Sequence, residues 1–404
     1  LNGFDRLITP VTYQEAIIVT QGNSYRADRK QRAVALWNAG THAANGTFSV
    51  RKAIETQGLT APSAIVSIGK AASAMALGAL EKFEVEIPTL VITKYDHTAP
   101  ELAANATTSV IEAAHPIPDE NSLIAGRKAL DFVTGLTAED RLMLLISGGA
   151  SSLAEVLAPG ITLDDLKSLN QDMISQDRTI EEINAARRKL SLIKSGGLLS
   201  HFKGAHVDVI FISDVLKDDP NVIGSGIGSV GTQTSPPFSI NSFVAANNQQ
   251  SRQAVADEVT AQNLPVIENA ESLYGEISDL AKTLAEKLRN GENGVYVWGG
   301  EPVVNLPENP GNGGRNQALA LLLARELHGQ DDIAIVVGGT DGTDGPTAAA
   351  GGVVDGNTYD RDQGHDAAIA QANAGDALAG VDSLLITGPT GTNVMDLIVA
   401  VKGP

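Results

Sequence analysis

Six times along this chain a short apolar run leads straight into a turn of glycine and small polar residues. The junctions are Gly69-Lys70, Ser147-Gly-Gly149, Ser213-Asp214, Gly299-Gly-Glu301, Gly338-Gly-Thr-Asp341 and Gly388-Pro-Thr-Gly391. The apolar runs predict strands at Ala64–Ile68, Thr89–Thr93, Leu142–Ile146, Val207–Ser213, Phe243–Ala246, Val295–Trp298, Ile333–Val337, Leu384–Thr387 and Leu397–Val401. Helical spacing is clearest over Glu181–Ile193, Gln250–Ala261 and Ser272–Leu288. Strands alternating with amphipathic helices predict an α/β fold of parallel sheets covered on both faces. In open sheets of this kind ligands sit outside the carboxyl ends of the strands, which is where the glycine turns lie.

With 404 residues the chain is too long for one ordinary core. A boundary is expected within residues 264–294, dividing it into 1–290 and 291–404. Aromatic residues make up only 4%, so the cores must be built from Val, Ile, Leu and Ala. No apolar run reaches the roughly 18 residues of a membrane span, and the first residues lack a signal peptide's basic region and apolar core. With no cysteine, thiol catalysis and thiolate metal sites are excluded, and a cytoplasmic setting is expected. Forty-eight acidic against 29 basic residues give a net charge of −19, which argues against a nucleic-acid partner. Any anion site must therefore gather its few cations and backbone N–H groups locally.

The richest turn is Gly338–Asp355, where Asp341 and Asp344 lie beside the hydroxyls of Thr340 and Thr343, a composition suited to a phosphorylated or metal-bound ligand. Lys70 falls between a strand and an Ala-rich helix, where it can meet a phosphate or simply face solvent. Ser147, Gly148 and Gly149 can cradle phosphate oxygens or form a structural turn. The G-x-S-x-G elbow is missing around Ser151, because position 153 is Leu. Lys194, with Arg187 and Lys189, closes a cation-rich helix end whose charges either complement the helix dipole or face a ligand. Asp214 follows a strand and can take a substrate proton, hold Mg²⁺ or cap a helix, with Asp218 and Asp219 as weaker candidates. Gly226-Ile-Gly-Ser-Val-Gly231 matches G-x-G-x-x-G but lacks the strand before it and the helix after it, so it is read as a loop. Glu301 sits in Gly299-Gly-Glu-Pro302, and Arg315 and Asn316 open a helix where a cation needs an anion beside it. Thr392 and Asn393 supply further polar contacts.

Together these residues resemble the 2-phosphoglycerate-forming glycerate kinases, the family with a C-terminal MOFRL domain. The matching segments run collinearly over nearly the whole chain: His115-Pro-Ile-Pro-Asp-Glu120, Ser147-Gly-Gly149, Lys189-Leu-Ser-Leu-Ile-Lys194, Ser213-Asp-Val215, Gly299-Gly-Glu-Pro302, Gly313-Gly-Arg-Asn-Gln317, Gly339–Thr347 and Thr387–Val394. The resemblance implies a large Rossmann-like N-terminal domain, a smaller α/β MOFRL-type C-terminal domain and an active site in the cleft between them. It implies ATP-dependent phosphorylation of D-glycerate at the 2-hydroxyl with Mg²⁺ assisting, Lys70, Asp214 and Arg315 forming the catalytic core. Arg315, with Lys194, would hold the substrate carboxylate or the transferring phosphoryl group, and Asp341 and Asp344 would bind Mg²⁺ or nucleotide, directly or through water. The chain departs from the family pattern at Ala150, Ser195, Ile227, Gly228, Ala318 and Ala348. A hydroxypyruvate reductase, a kinase of another 2-hydroxy sugar acid and a non-catalytic sugar-acid binder are the alternatives, and monomer and homodimer are both compatible with the sequence.

Overall fold

The computed structural model describes residues 21–168, 190–231 and 235–403. Most of the helix expected over Glu181–Ile193, with Arg187 and Lys189, lies outside them. Two six-stranded sheets organise the rest.

The first contains β1 (Ala64–Ile68), β2 (Thr89–Lys94), β3 (Thr108–Ala113), β4 (Arg141–Ile146), β5 (His206–Ile212) and β6 (Ser239–Ala246). All its pairs are parallel, in the order β3-β2-β1-β4-β5-β6. Val66, Leu144 and Val209 enter the core on one face, and Ile65, Met143, Leu145 and Ile210 enter it on the other. Burial on both faces explains why these strands read as unbroken apolar runs. The strand order reverses between β1 and β4, and the crevice at such a reversal is where α/β sheets take ligands. Lys70 follows β1 and Ser147–Gly149 follows β4.

The second sheet contains β7 (Val266–Leu273), β8 (Gly294–Gly300), β9 (Ile333–Gly339), β10 (Gly351–Asp355), β11 (Leu384–Leu385) and β12 (Asp396–Lys402), in the order β11-β10-β9-β12-β8-β7. Here the expectation of a parallel sheet fails. Only β7 and β8 are parallel; every other pair is antiparallel. The expected helix over Ser272–Leu288 begins instead at Ile277, because Ser272 and Leu273 end β7.

The helices Ile277–Asn290 and Arg315–Glu326 cover one face of this sheet through Leu284, Leu288, Leu319 and Leu323. The helices Gln21–Ala43 and Asn248–Ala261 cover the other through Leu36, Trp37, Val255 and Val259. A cut at residue 290 therefore does not follow the layers: residues 21–43 and 248–290 pack on the second sheet, as the chain enters it, leaves for the first and returns. Trp37 anchors the early passage, fully buried and donating from Nε1 to the Leu397 carbonyl at 3.0 Å. Trp37→Ala is expected to cost about 3–5 kcal/mol of stability, the range for emptying a large aromatic site. Urea unfolding checks this, and a loss below 1 kcal/mol would contradict the placement of this helix in the core.

Candidate active site between the two sheets

The floor of the site is built where the turns after β1 and β4 lace together. Gly69, at φ 135°, lies so close to the next turn that a Cβ there would sit 2.2 Å from Ser147 Oγ. Lys70 N–H then donates to the Gly148 carbonyl at 2.9 Å, and Ala71 N–H to Ser147 Oγ at 3.0 Å. Ser147 is thus buried and spent on the backbone, which corrects its expected place among the ligand contacts. Gly148 has a different reason to lack a side chain: its Cβ would fall 1.8 Å from Asp214 Oδ2 and 2.0 Å from Asn393 Nδ2. Over that gap Asn393 Nδ2 donates to Asp214 Oδ2 at 3.0 Å, joining the turn after β5 to the second sheet. Gly149 lies beneath Lys70 and His115.

From the other side, Thr340 ties the turns after β9 and before β12 together. Its hydroxyl donates to the Met395 carbonyl at 2.6 Å and accepts from Val394 N–H at 2.8 Å. Asp341 then reaches across the cleft to Lys70 Nζ at 2.7 Å, while its other oxygen accepts from Thr343 N–H at 3.0 Å. Asp344 accepts from the backbone N–H groups of Asn316 (3.1 Å) and Gln317 (2.8 Å), capping the helix Arg315–Glu326. Arg315 Nε and one terminal nitrogen bind Asp396 at 2.8 and 3.3 Å, and the other binds Glu301 at 2.9 Å. The anion that a cation at a helix start needs is supplied here by the protein's own carboxylates.

These groups line one cleft of about 440 Å³. It brings together Lys70, Asp214 and Arg315, as expected, with Glu301, Asn316, Asp341, Thr343, Asp344 and Asn393. Thr340 and Thr392 are buried behind the lining. Lys194 is corrected outright: it does not line the cleft, and its Nζ pairs with Glu155 at 2.5 Å where both side chains are almost wholly buried. The pairing of Asp341 with Asp344 as metal ligands is not supported either, since one is taken by Lys70 and the other by helix amides. Among the described residues no group of three His, Asp or Glu side chains is placed to hold a metal.

Three titratable lining residues were missed: Lys94, His115 and Asp396. Lys94 ends β2, and His115 opens one of the matching segments, so position at a strand's carboxyl end was a usable signal for the first and the motif itself for the second. Asp396 carried none beyond standing next to an apolar run.

Burial drives the electrostatics. It pushes the Asp214 carboxyl up to about 6, with Lys70 opposing and Glu301 adding. Burial also lifts Asp344 to about 7, against the two N–H groups that favour its anion. For Asp341 burial works upward too, but Lys70 overrides it and holds the carboxyl at about 2. Lys70 mirrors this: burial disfavours its charge, and Asp341 more than restores it. Burial and Lys70 bring His115 down to about 3, so it is neutral.

A family model described as a domain of unknown function, DUF4147, matches residues 32–255, and the MOFRL family model matches residues 294–396. A D-glycerate 2-kinase of Thermotoga maritima is 34% identical over 83% of this chain and 89% of its own length. The chain belongs to the MOFRL-containing glycerate 2-kinase family. A crystal structure of glycerate kinase from the same organism superposes with a TM-score of 0.80 at 30% identity, covering 93% of this chain and 100% of that one. A relative from Agrobacterium vitis, 32% identical over 82% of this chain and 97% of its own length, bears the name putative hydroxypyruvate reductase.

In this glycerate 2-kinase family member the coupling of Lys70 to both carboxylates is directly measurable. In Lys70→Met, side-chain carbon NMR titrations should show Asp341 rising well above about 2 and Asp214 above about 6. An Asp341 that stays near 2 would mean that Lys70 is not its main partner.

Proposed function

We propose that this protein transfers the γ-phosphoryl group of ATP to the 2-hydroxyl of D-glycerate, giving 2-phosphoglycerate and ADP. The observation that carries the reading is the convergence of Lys70, Asp214 and Arg315 on one cleft, with the Asp214 carboxyl at about 6 beside a partly buried ammonium. A carboxylate in that range is ionised at neutral pH yet basic enough to accept a hydroxyl proton. As the 2-hydroxyl oxygen bonds to the γ-phosphorus, its proton passes to Asp214 and the bridging P–O bond breaks to release ADP. Asn393 holds Asp214 in register for this. Lys70 carries positive charge to the floor of the cleft, where the moving phosphoryl gathers negative charge, and Arg315 offers a planar fork to the substrate carboxylate.

Three cations share the lining with five carboxyl groups: Lys70, Lys94 and Arg315 against Asp214, Glu301, Asp341, Asp344 and Asp396. A triphosphate therefore enters this cleft as its Mg²⁺ complex, the metal belonging with the nucleotide as co-substrate. ATP as the donor is in keeping with a cytoplasmic setting, and no described helix is long and apolar enough to cross a membrane.

Phosphorus NMR of the product from ATP and D-glycerate tests the reaction, since 2- and 3-phosphoglycerate are distinguishable; NADH oxidation with hydroxypyruvate, without ATP, would overturn it. Lys70→Ala should lower turnover by about 10³–10⁵, the scale on which cations at a transferring phosphoryl act. Arg315→Ala, which removes the fork offered to the substrate carboxylate, should lower kcat/KM by about 10² or more through lost positioning, with circular dichroism unchanged in both. Because Asp214 works as its anion, kcat/KM should fall as pH drops through about 6. Asp214→Asn should lose about 10²–10⁴ in kcat, the range for a general base, and abolish that limb. A limb that survives the substitution would assign it to another group.

A further inference from the structure

Arg315 divides its guanidinium between two carboxylates in contrasting surroundings. Asp396 is 3% exposed at the start of β12, grips Nε and one terminal nitrogen, and also accepts from Asn316 Nδ2 at 3.0 Å. Glu301 is 51% exposed in the turn after β8 and touches Arg315 through one bond at the remaining terminal nitrogen. Breaking a buried pair strands a charge, whereas a half-exposed partner loses little by turning to water.

We infer that the two carboxylates have opposite roles: Asp396 is a positioning residue that fixes the fork, and Glu301 is a stand-in for the substrate carboxylate, displaced when the substrate binds. This rests on the reading that Arg315 receives glycerate. The Glu301 carboxylate occupies the one terminal nitrogen of the fork that Asp396 leaves to it. A third anion beside one guanidinium is repelled by the other two, and of those two Glu301 is the one that can turn to water at little cost. The free enzyme thus keeps its guanidinium oriented and neutralised, and the substrate competes with a tethered carboxylate for it. Glu301 thereby sets affinity, and Asp396 sets the geometry of the reacting complex.

Calorimetric titration with D-glycerate and steady-state kinetics on two variants separate these roles. Glu301→Gln removes the competing charge and should tighten glycerate binding about two- to five-fold, the worth of one exposed ion pair, with a matching fall in KM. Asp396→Asn frees the fork and should lower kcat about 10²-fold, the cost of a misplacement of about 1 Å, with a smaller change in KM; Asp396→Glu should recover part of that loss. Weaker or unchanged binding in Glu301→Gln overturns the stand-in role, and an Asp396→Asn effect confined to KM overturns the positioning role. In either case wild-type phosphorylation of glycerate leaves the proposed function intact. If wild type neither binds nor phosphorylates glycerate, the function and this inference fall together. Should Asp396→Asn not fold, Glu301→Gln and Asp396→Glu decide the matter.

Discussion

A partly buried ammonium and a buried carboxylate, Lys70 and Asp341, meet at 2.7 Å across the gap between two separately built sheets. Each offsets the other's loss of water: without Lys70 the Asp341 carboxyl would rise out of its depressed range, and without Asp341 the ammonium would meet burial uncompensated. The two residues sit on turns after β1 and β9, so the pair also fixes how the two sheets face each other. Other contacts reinforce this alignment, including Asn393 with Asp214 and Asn45 Nδ2 with the Thr390 carbonyl. Pairing at this contact keeps Lys70 and Asp341 charged, while Asp214 and His115 are governed first by their own burial and only then by the Lys70 charge.

Net charge then explains the style of the site. The chain carries −19 overall, and its cleft gathers more carboxyl groups than cations. The cations that any anion site had to gather locally are outnumbered in that lining. Individual cations are instead aimed, each by an assigned acid: Lys70 by Asp341 and Arg315 by Asp396. Asp344 relieves part of the remaining repulsion, since at about 7 it is substantially protonated near neutrality. Preorganised single charges of this sort suit phosphoryl transfer, where the protein's contribution is positioning and local electrostatics.

What the sequence revealed follows from how much of each element is buried. Strands covered on both faces, such as β1, β4 and β9, announce themselves as apolar runs, and their glycine turns mark the cleft. Two of the four edge strands do not: β3 (Thr-Ser-Val-Ile-Glu-Ala) and β7 (Val-Ile-Glu-Asn-Ala-Glu-Ser-Leu) are mostly half-exposed and present no apolar run, whereas the edges β6 and β11 were found in part. β10 was hidden for another reason, its two leading glycines looking like a continuation of the preceding loop. The antiparallel pairing of the second sheet leaves no local trace, because direction depends on where the chain returns. Lys194 was misassigned because its partner Glu155 is 39 positions away. The role of Asp344 was equally nonlocal: it caps a helix that begins well before it in sequence, so no capping box announces it.

The positions where the chain departs from the family pattern test whether the site or the scaffold carries the resemblance. Ala150 is fully buried behind the Ser147-Gly-Gly turn, where a Cβ on Gly224 would meet its own at 3.0 Å. It therefore packs against the neighbouring loop and presents nothing to a ligand. Ala318 lies within the first turn of the helix that Arg315 opens, and Ala348 is exposed beyond the Asp344 turn; neither lines the cleft. Ser195 and Gly196 bond to the backbone of Ser225 and Gly226, so the altered turns at 195 and 227–228 form a joined pair of loops outside the lining as well. None of these positions lies in the lining, where the charged groups that pair across the cleft are gathered. Altered residues behind the lining change how loops fit; they leave the placement of Lys70, Asp214 and Arg315 to the turns after β1 and β5 and to the start of the helix Arg315–Glu326.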